Sequence, residues 1–182
     1  MKFLIVVDMQ EDFVNGVFGS DAAKAIVPYV AEQARSDEYD WVIFTRDWHD
    51  PINERHFMET RMLPPHCVAN TKGAEFVEGV VPDNHPITIV DKDSFGAIGL
   101  GEIILGKSLQ VCYNPNHEDH EIHIAGLCTD ICVISNVLAL RMWFPDFRII
   151  VHEKGCAGTS PSKHAAALSV MESNLIEVKY DD

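Results

Sequence analysis

The chain has 182 residues, 47% of them hydrophobic and 23% charged, which suits one globular domain over residues 1–182 with a sizeable core. A formal net charge of -14 argues against nucleic acid and anionic membrane as partners. No apolar run reaches membrane-spanning length, and five cysteines without framework spacing fit a reducing, cytoplasmic setting.

Residues 3–7 form a continuous apolar run, the pattern of a strand buried on both faces of a parallel sheet. It is too short for a signal peptide and lacks a small-residue cleavage site. Asp8 ends it, where open α/β sheets place their ligands; the plainer reading is a turn former. Ser20 or Asp21 can cap a helix over 22–35. A second strand over 41–45 runs into Arg46, Asp47, Trp48 and His49. From there to residue 86 the chain reads as irregular, punctuated by prolines and glycines, and loops of this length are functional or disordered. Asp47, His49, Glu59 and His66 on it are all of metal-ligand type. Two histidines and a carboxylate suit zinc, manganese or iron, and equally suit a solvated surface.

A third strand over 87–90 leads to Lys92, which can face a thiol or pair with Asp91 or Asp93. A short helix falls within 98–109. The charged stretch 117–123 allows a second metal site, but it precedes a strand at the edge away from the ligand-bearing end, and a solvated loop is the reading adopted. Later elements are a strand over 148–151, a loop over 155–159, a helix from Ser160-Pro161 to Ser173 and a last strand over 175–178. The alternation of strand and helix predicts a three-layer α/β/α sandwich with a mainly parallel central sheet.

Residues 122–133 carry the strongest signal. A buried strand over 122–127 runs through Gly126 into Thr129 and Asp130, both N-cap types, and then a helix. Cys132 falls in or near its first turn. There the helix dipole favours a thiolate: two pKa units below about 8.5 raise the thiolate share at neutral pH from about 3% to about three quarters. Cys132 reads as a nucleophile at a strand's carboxyl end or as a small buried hydrophobe.

Asp8, Lys92 and Cys132 thus follow three strands in chain order. With the motifs around them, the chain resembles the isochorismatase-like cysteine hydrolase superfamily, and within it the nicotinamidases. The segments that carry the likeness are Val7-Asp8-Met9-Gln10-Glu11-Asp12-Phe13, Thr45-Arg46-Asp47-Trp48-His49, Leu63-Pro64-Pro65-His66-Cys67 with Gly73-Ala74-Glu75, Lys92 with Ser94-Phe95, and Gly126-Leu127-Cys128-Thr129-Asp130-Ile131-Cys132-Val133.

The resemblance implies a metal-dependent amidohydrolase that converts nicotinamide to nicotinate and ammonia in NAD salvage and also accepts pyrazinamide. It implies Cys132, not Cys128, as nucleophile, Asp8 and Lys92 as its partners, and backbone N–H groups of Cys128 and Cys132 as the oxyanion hole. The family's cis peptide would fall at Leu127-Cys128. Asp47, His49 and His66 would hold a divalent ion, zinc before manganese or iron. Glu59 occupies a fourth ligand position, with His56 as its competitor because residues 50–61 depart from the common pattern. Phe13 and Trp48 would wall the ring pocket. The family also implies a homo-oligomer. The alternatives are a relative acting on another small amide or ureido substrate, a non-catalytic ligand-binding module, and a redox pair of Cys128 and Cys132.

Overall fold

A computed structural model of the chain describes residues 1–51, 58–84, 86–111 and 120–180. Six strands form one sheet: β1 (Lys2–Val7), β2 (Trp41–Asp47), β3 (Ile87–Lys92), β4 (Glu121–Leu127), β5 (Arg148–Ala157) and β6 (Glu177–Lys179). Every neighbouring pair is parallel. The order is β3-β2-β1-β4-β5-β6. The chain therefore winds outward from β1 to β3 and then restarts on the other side of β1. This reversal between β1 and β4 opens a crevice past their carboxyl ends, where doubly wound sheets bind ligands.

Helices cover both faces, so the strands must be apolar on both. On one face α1 (Glu11–Val14) and α2 (Asp21–Ala34) pack through Val14, Ala23, Ile26 and Val30 on Leu4, Val6, Val42 and Phe44. On the other, α4 (Leu100–Val111), α5 (Ile134–Trp143) and α6 (Pro161–Ser173) lay Ile104, Val137, Leu140, Leu168 and Met171 on Phe3, Ile5, Val7 and Ile124. The expected three-layer sandwich is therefore the observed architecture. Ser20 caps α2, its hydroxyl accepting the Ala23 N–H at 3.0 Å.

Three local readings change. The stretch after β2 carries α3 (Met58–Met62) and a 3₁₀ turn, Lys72–Ala74. Gly155, Cys156 and Ala157 belong to β5, not to a loop, because a strand beside β4 must run as far as the site that β4 supports. Cys132 lies not in an α-helical turn but in a π-turn, Thr129–Val133, that precedes α5.

Candidate active site

Asp8 sits at the end of β1 with φ +49°, a left-handed conformation that few non-glycine residues adopt. Strain of this kind concentrates at functional sites. Its side chain is fully buried. Oδ1 accepts the Thr45 hydroxyl at 2.6 Å. Lys92 closes β3, two strands away, and reaches back over the end of β2. Its Nζ lies 2.8 Å from Asp8 Oδ2, 3.0 Å from Asp47 Oδ1 and 3.8 Å from Cys132 Sγ. Asp8 Oδ2 thus faces the Lys92 ammonium, which also faces Cys132.

Gly126 brings the fourth element close. A Cβ there would stand 2.1 Å from the Val7 carbonyl oxygen, and its φ is +132°. Only glycine lets the end of β4 lie this near the end of β1. The Leu127–Cys128 peptide is cis. The Cys128 carbonyl then accepts the N–H groups of Ile131 and Val133 at 3.0 and 3.1 Å, which closes the turn that carries Cys132. Asn136 secures it from α5, donating to the Cys132 carbonyl at 2.8 Å and accepting the Ala97 N–H at 2.8 Å.

The electrostatics oppose the thiolate that a helix dipole alone would favour. Burial pushes the Cys132 thiol well above its ordinary value; Lys92 opposes this, and Asp8 and Asp47 add to it. The π-turn continues into α5 through a helical Val133, so Cys132 does sit near a helix N-terminus, yet the net shift of its thiol is upward. Burial also raises Asp8, against the pull of Lys92. Lys92 itself is disfavoured as a cation by burial, but Asp8, Cys132 and Asp47 outweigh that and hold it charged. Burial thus favours the neutral thiol at Cys132, while Lys92 stays an ammonium beside it.

Asp47, His49, Glu59 and His66 form a second cluster, with one ligand-type atom from each lying within 4.8 Å of all the others. His49 Nε2 and His66 Nε2 stand 2.9 and 3.3 Å from Asp47 Oδ2, and His66 Nε2 is 3.5 Å from Glu59 Oε1. His66 donates its Nδ1–H to the Pro64 carbonyl at 2.9 Å, which leaves Nε2 as the ligating nitrogen. Burial opposes charge on His66, but hydrogen bonds to Asp47 and Glu59 push it up to about 10, so an ion bound there would displace a proton from Nε2. Two imidazoles and two carboxylates on one buried point fit a divalent first-row ion. His56 lies outside the described residues, as does His117.

Phe13 lines a cavity of about 500 Å³ that also reaches Phe18, Phe95, His66, Cys128 and Cys132. The His66 ring meets Phe18 edge-on at 4.9 Å. Trp48 lies off this cavity: its ring carries the Arg46 guanidinium at 3.9 Å. Arg46 is in turn held by Asp91 at 2.7 Å. The stretch 117–123 also departs from its reading. His120 and His123 are buried, and β4 begins at Glu121, so the described part is strand and core rather than solvated loop.

Two polar residues with work at the site carry no chemical signal in sequence. Gln10 is fully buried; its amide donates to the Asp47 and Ala74 carbonyls at 2.8 and 3.0 Å and accepts the Asp47 N–H at 2.7 Å. Asp12 accepts the Cys67 N–H at 2.8 Å, fixing the turn that carries His66. Their place in the segment after β1 was the one hint available.

A buried cysteine, lysine and aspartate gathered at the switch point of a parallel α/β sheet, beside a four-donor cluster, define a hydrolase site. The sequence profile of the isochorismatase domain matches residues 2–179, and the chain belongs to that family. It is 30% identical over 181 residues to an isochorismatase family protein, PncA, of Bacillus subtilis, covering 92% of each chain. It is 28% identical to a nicotinamidase of Schizosaccharomyces pombe, covering 96% of this chain and 91% of that one. Its fold is similar to that of a pyrazinamidase of Pyrococcus horikoshii solved in complex with zinc, with TM-score 0.81, 27% identity and 99% of each chain covered.

Proposed function

We propose that the protein is a metal-dependent cysteine amidohydrolase that converts nicotinamide to nicotinate and ammonia, and accepts pyrazinamide by the same route. The observation that carries the reading is the placement of Lys92 Nζ, 2.8 Å from Asp8 and 3.8 Å from Cys132, with Cys132 itself lining an aromatic cavity.

Asp8 takes the thiol proton as Cys132 Sγ bonds to the carboxamide carbon. Burial suits this, because a raised aspartate is a better base and a neutral thiol needs one. Lys92 keeps its charge throughout and steadies the thiolate as it forms. The N–H groups of Cys128 and Cys132 receive the oxyanion; one such donor contributes roughly 3–4 kcal/mol to the transition state. Asp8 returns the proton to the leaving nitrogen, the C–N bond breaks and ammonia departs. Asp8 then takes a proton from water as it attacks the thioester; the C–S bond breaks, the proton passes to Cys132 and the acid is released. Asp47, His49, His66 and Glu59 would hold the divalent ion, with zinc the first candidate, and the ion when bound supplies a Lewis acid for the pyridine nitrogen. Phe13, Phe18 and Phe95 enclose the ring and exclude water.

The test is ammonia release from nicotinamide by purified protein, before and after chelation and re-addition of zinc, with Cys132→Ala beside it. Release that needs both the ion and Cys132 is the expected result. Bound metal with no release, alongside turnover of another small amide or a ureido compound, would move the assignment to that substrate class.

A further inference from the structure

Between the two N–H groups assigned to the oxyanion hole lie Thr129, Asp130 and Ile131. The first two are gripped by His164 of α6 and by Thr159 in the loop before it. The Thr129 side chain is fully buried, and its hydroxyl lies 2.8 Å from His164 Nδ1. The other ring nitrogen of His164 stands 3.5 Å from Glu153 Oε1. His164 is in the first turns of α6 and Glu153 is on β5, so this hydroxyl–imidazole–carboxylate chain ties the nucleophile turn to two elements behind it. A second tie lies alongside. The Asp130 carboxylate accepts the Thr159 N–H at 2.7 Å and the Thr159 hydroxyl at 2.5 Å. Gly158 lets them close up: a Cβ there would stand 2.8 Å from Asp130 Oδ1 and 2.8 Å from His164 Cβ.

We propose that His164 is a positioning residue for hydrolysis, acting through Thr129 to hold the Cys128 and Cys132 N–H groups on the developing oxyanion. This deepens the amidohydrolase reading and rests on it. The three groups are of the types found in hydrolytic triads, but Thr129 is fully buried and cannot meet a substrate. Its hydroxyl serves instead as a fixed post. The turn it anchors is a single π-turn, a form that occurs mostly as isolated turns at functional sites. Displacement by about 1 Å at such a site costs about a hundredfold in rate. Oxyanion donors act on the transition state, so loosening them lowers kcat and leaves ground-state binding in place.

The experiment compares wild type with His164→Ala, His164→Asn, His164→Gln and Thr129→Val. It reads kcat and KM for nicotinamide, affinity for nicotinate, and affinity for pyridine-3-carbaldehyde. The aldehyde adds the Cys132 thiol across its carbonyl and so presents a tetrahedral oxygen to the same N–H groups. His164→Ala and Thr129→Val are expected to lower kcat about 10- to 100-fold with KM within about twofold. Aldehyde affinity should fall in step with kcat/KM while nicotinate affinity holds. Asparagine places a polar atom where Nδ1 stood and glutamine does not, so His164→Asn should recover most of the rate and His164→Gln little. This pair decides the matter even if the alanine variant unfolds. Equal rates for Asn and Gln, or unchanged kcat and aldehyde affinity in Thr129→Val, would overturn the role of His164 alone. Wild-type protein that neither turns over nicotinamide nor binds the aldehyde would overturn the underlying reaction instead.

Discussion

Lys92 and Asp47 form an ion pair at 3.0 Å, and they are also register partners at the ends of β3 and β2. Through that contact the thiol cluster and the four-donor cluster become one buried charge network. Asp8 and Asp47 both lean on Lys92, whose side chain is 2% exposed. Replacing Lys92 by Met leaves two buried carboxylates with no cation between them. Removing one partner of a buried pair costs about 3–5 kcal/mol, and Lys92→Met is expected to lose that much in urea unfolding. Asp8→Asn added to Lys92→Met should recover part of the loss, because one of the stranded charges is gone. Strict additivity of the two would show that they do not interact.

Cys128 and Cys132 are both thiols next to the same cavity, but only Cys132 has Lys92 within 3.8 Å. Cys132→Ala is expected to abolish turnover. Cys128→Ala should keep substantial activity, since its assigned role uses the backbone N–H. Steady-state rates of both variants check this, and equal losses would contradict the choice of nucleophile.

A neutral resting thiol has a consequence for labelling. Burial, Asp8 and Asp47 hold Cys132 protonated against Lys92, so its thiolate share grows only as pH rises beyond the ordinary thiol range. Alkylation of Cys132 by iodoacetamide, followed by peptide mass, should be slow near neutral pH and still climbing where a free thiol, near 8.5, has levelled off. A plateau below pH 8 would mean that the resting enzyme already holds the thiolate.

The framework of this site was legible because its residues end apolar strands. Asp8, Lys92 and the Cys132 turn each follow a run whose pattern is local, and a parallel sheet brings such ends together. The Asp47, His49 and His66 set was legible in residue type, while its convergence with Glu59 depended on how a long loop folds back. The charge state of Cys132 was not legible: a helix start is local in sequence, but the thiol is held neutral by burial, and much of that comes from β1 and β3, which are far away in the chain. Trp48 lies just past β2, where alternation along the strand no longer tells which side a ring takes. His164 gave no sign, because 35 residues separate it from Thr129.

The misread stretch before β4 yields a prediction about stability. His123 Nδ1 shares a hydrogen bond with His152 Nε2 at 2.8 Å, and its Nε2 lies 3.2 Å from Glu121 Oε2. Tyr29 extends the chain, 2.8 Å from His152 Nδ1, and the Tyr39 ring meets His123 edge-on at 5.2 Å. Burial lowers the pKa of His123 below its ordinary 6.5, outweighing the pull of Glu121 and Glu38. The unfolded chain therefore takes up a proton near pH 6.5 that the folded chain resists. Between the folded and unfolded values the unfolded state binds more protons, so stability rises with pH in that window. The contribution is fully present above pH 6.5 and is lost as pH falls through the lower folded value. Urea midpoints should drop between pH 7.5 and pH 5.5, and His123→Leu should flatten the drop although it lowers stability overall. An unchanged slope in that variant would assign the acid sensitivity to other groups.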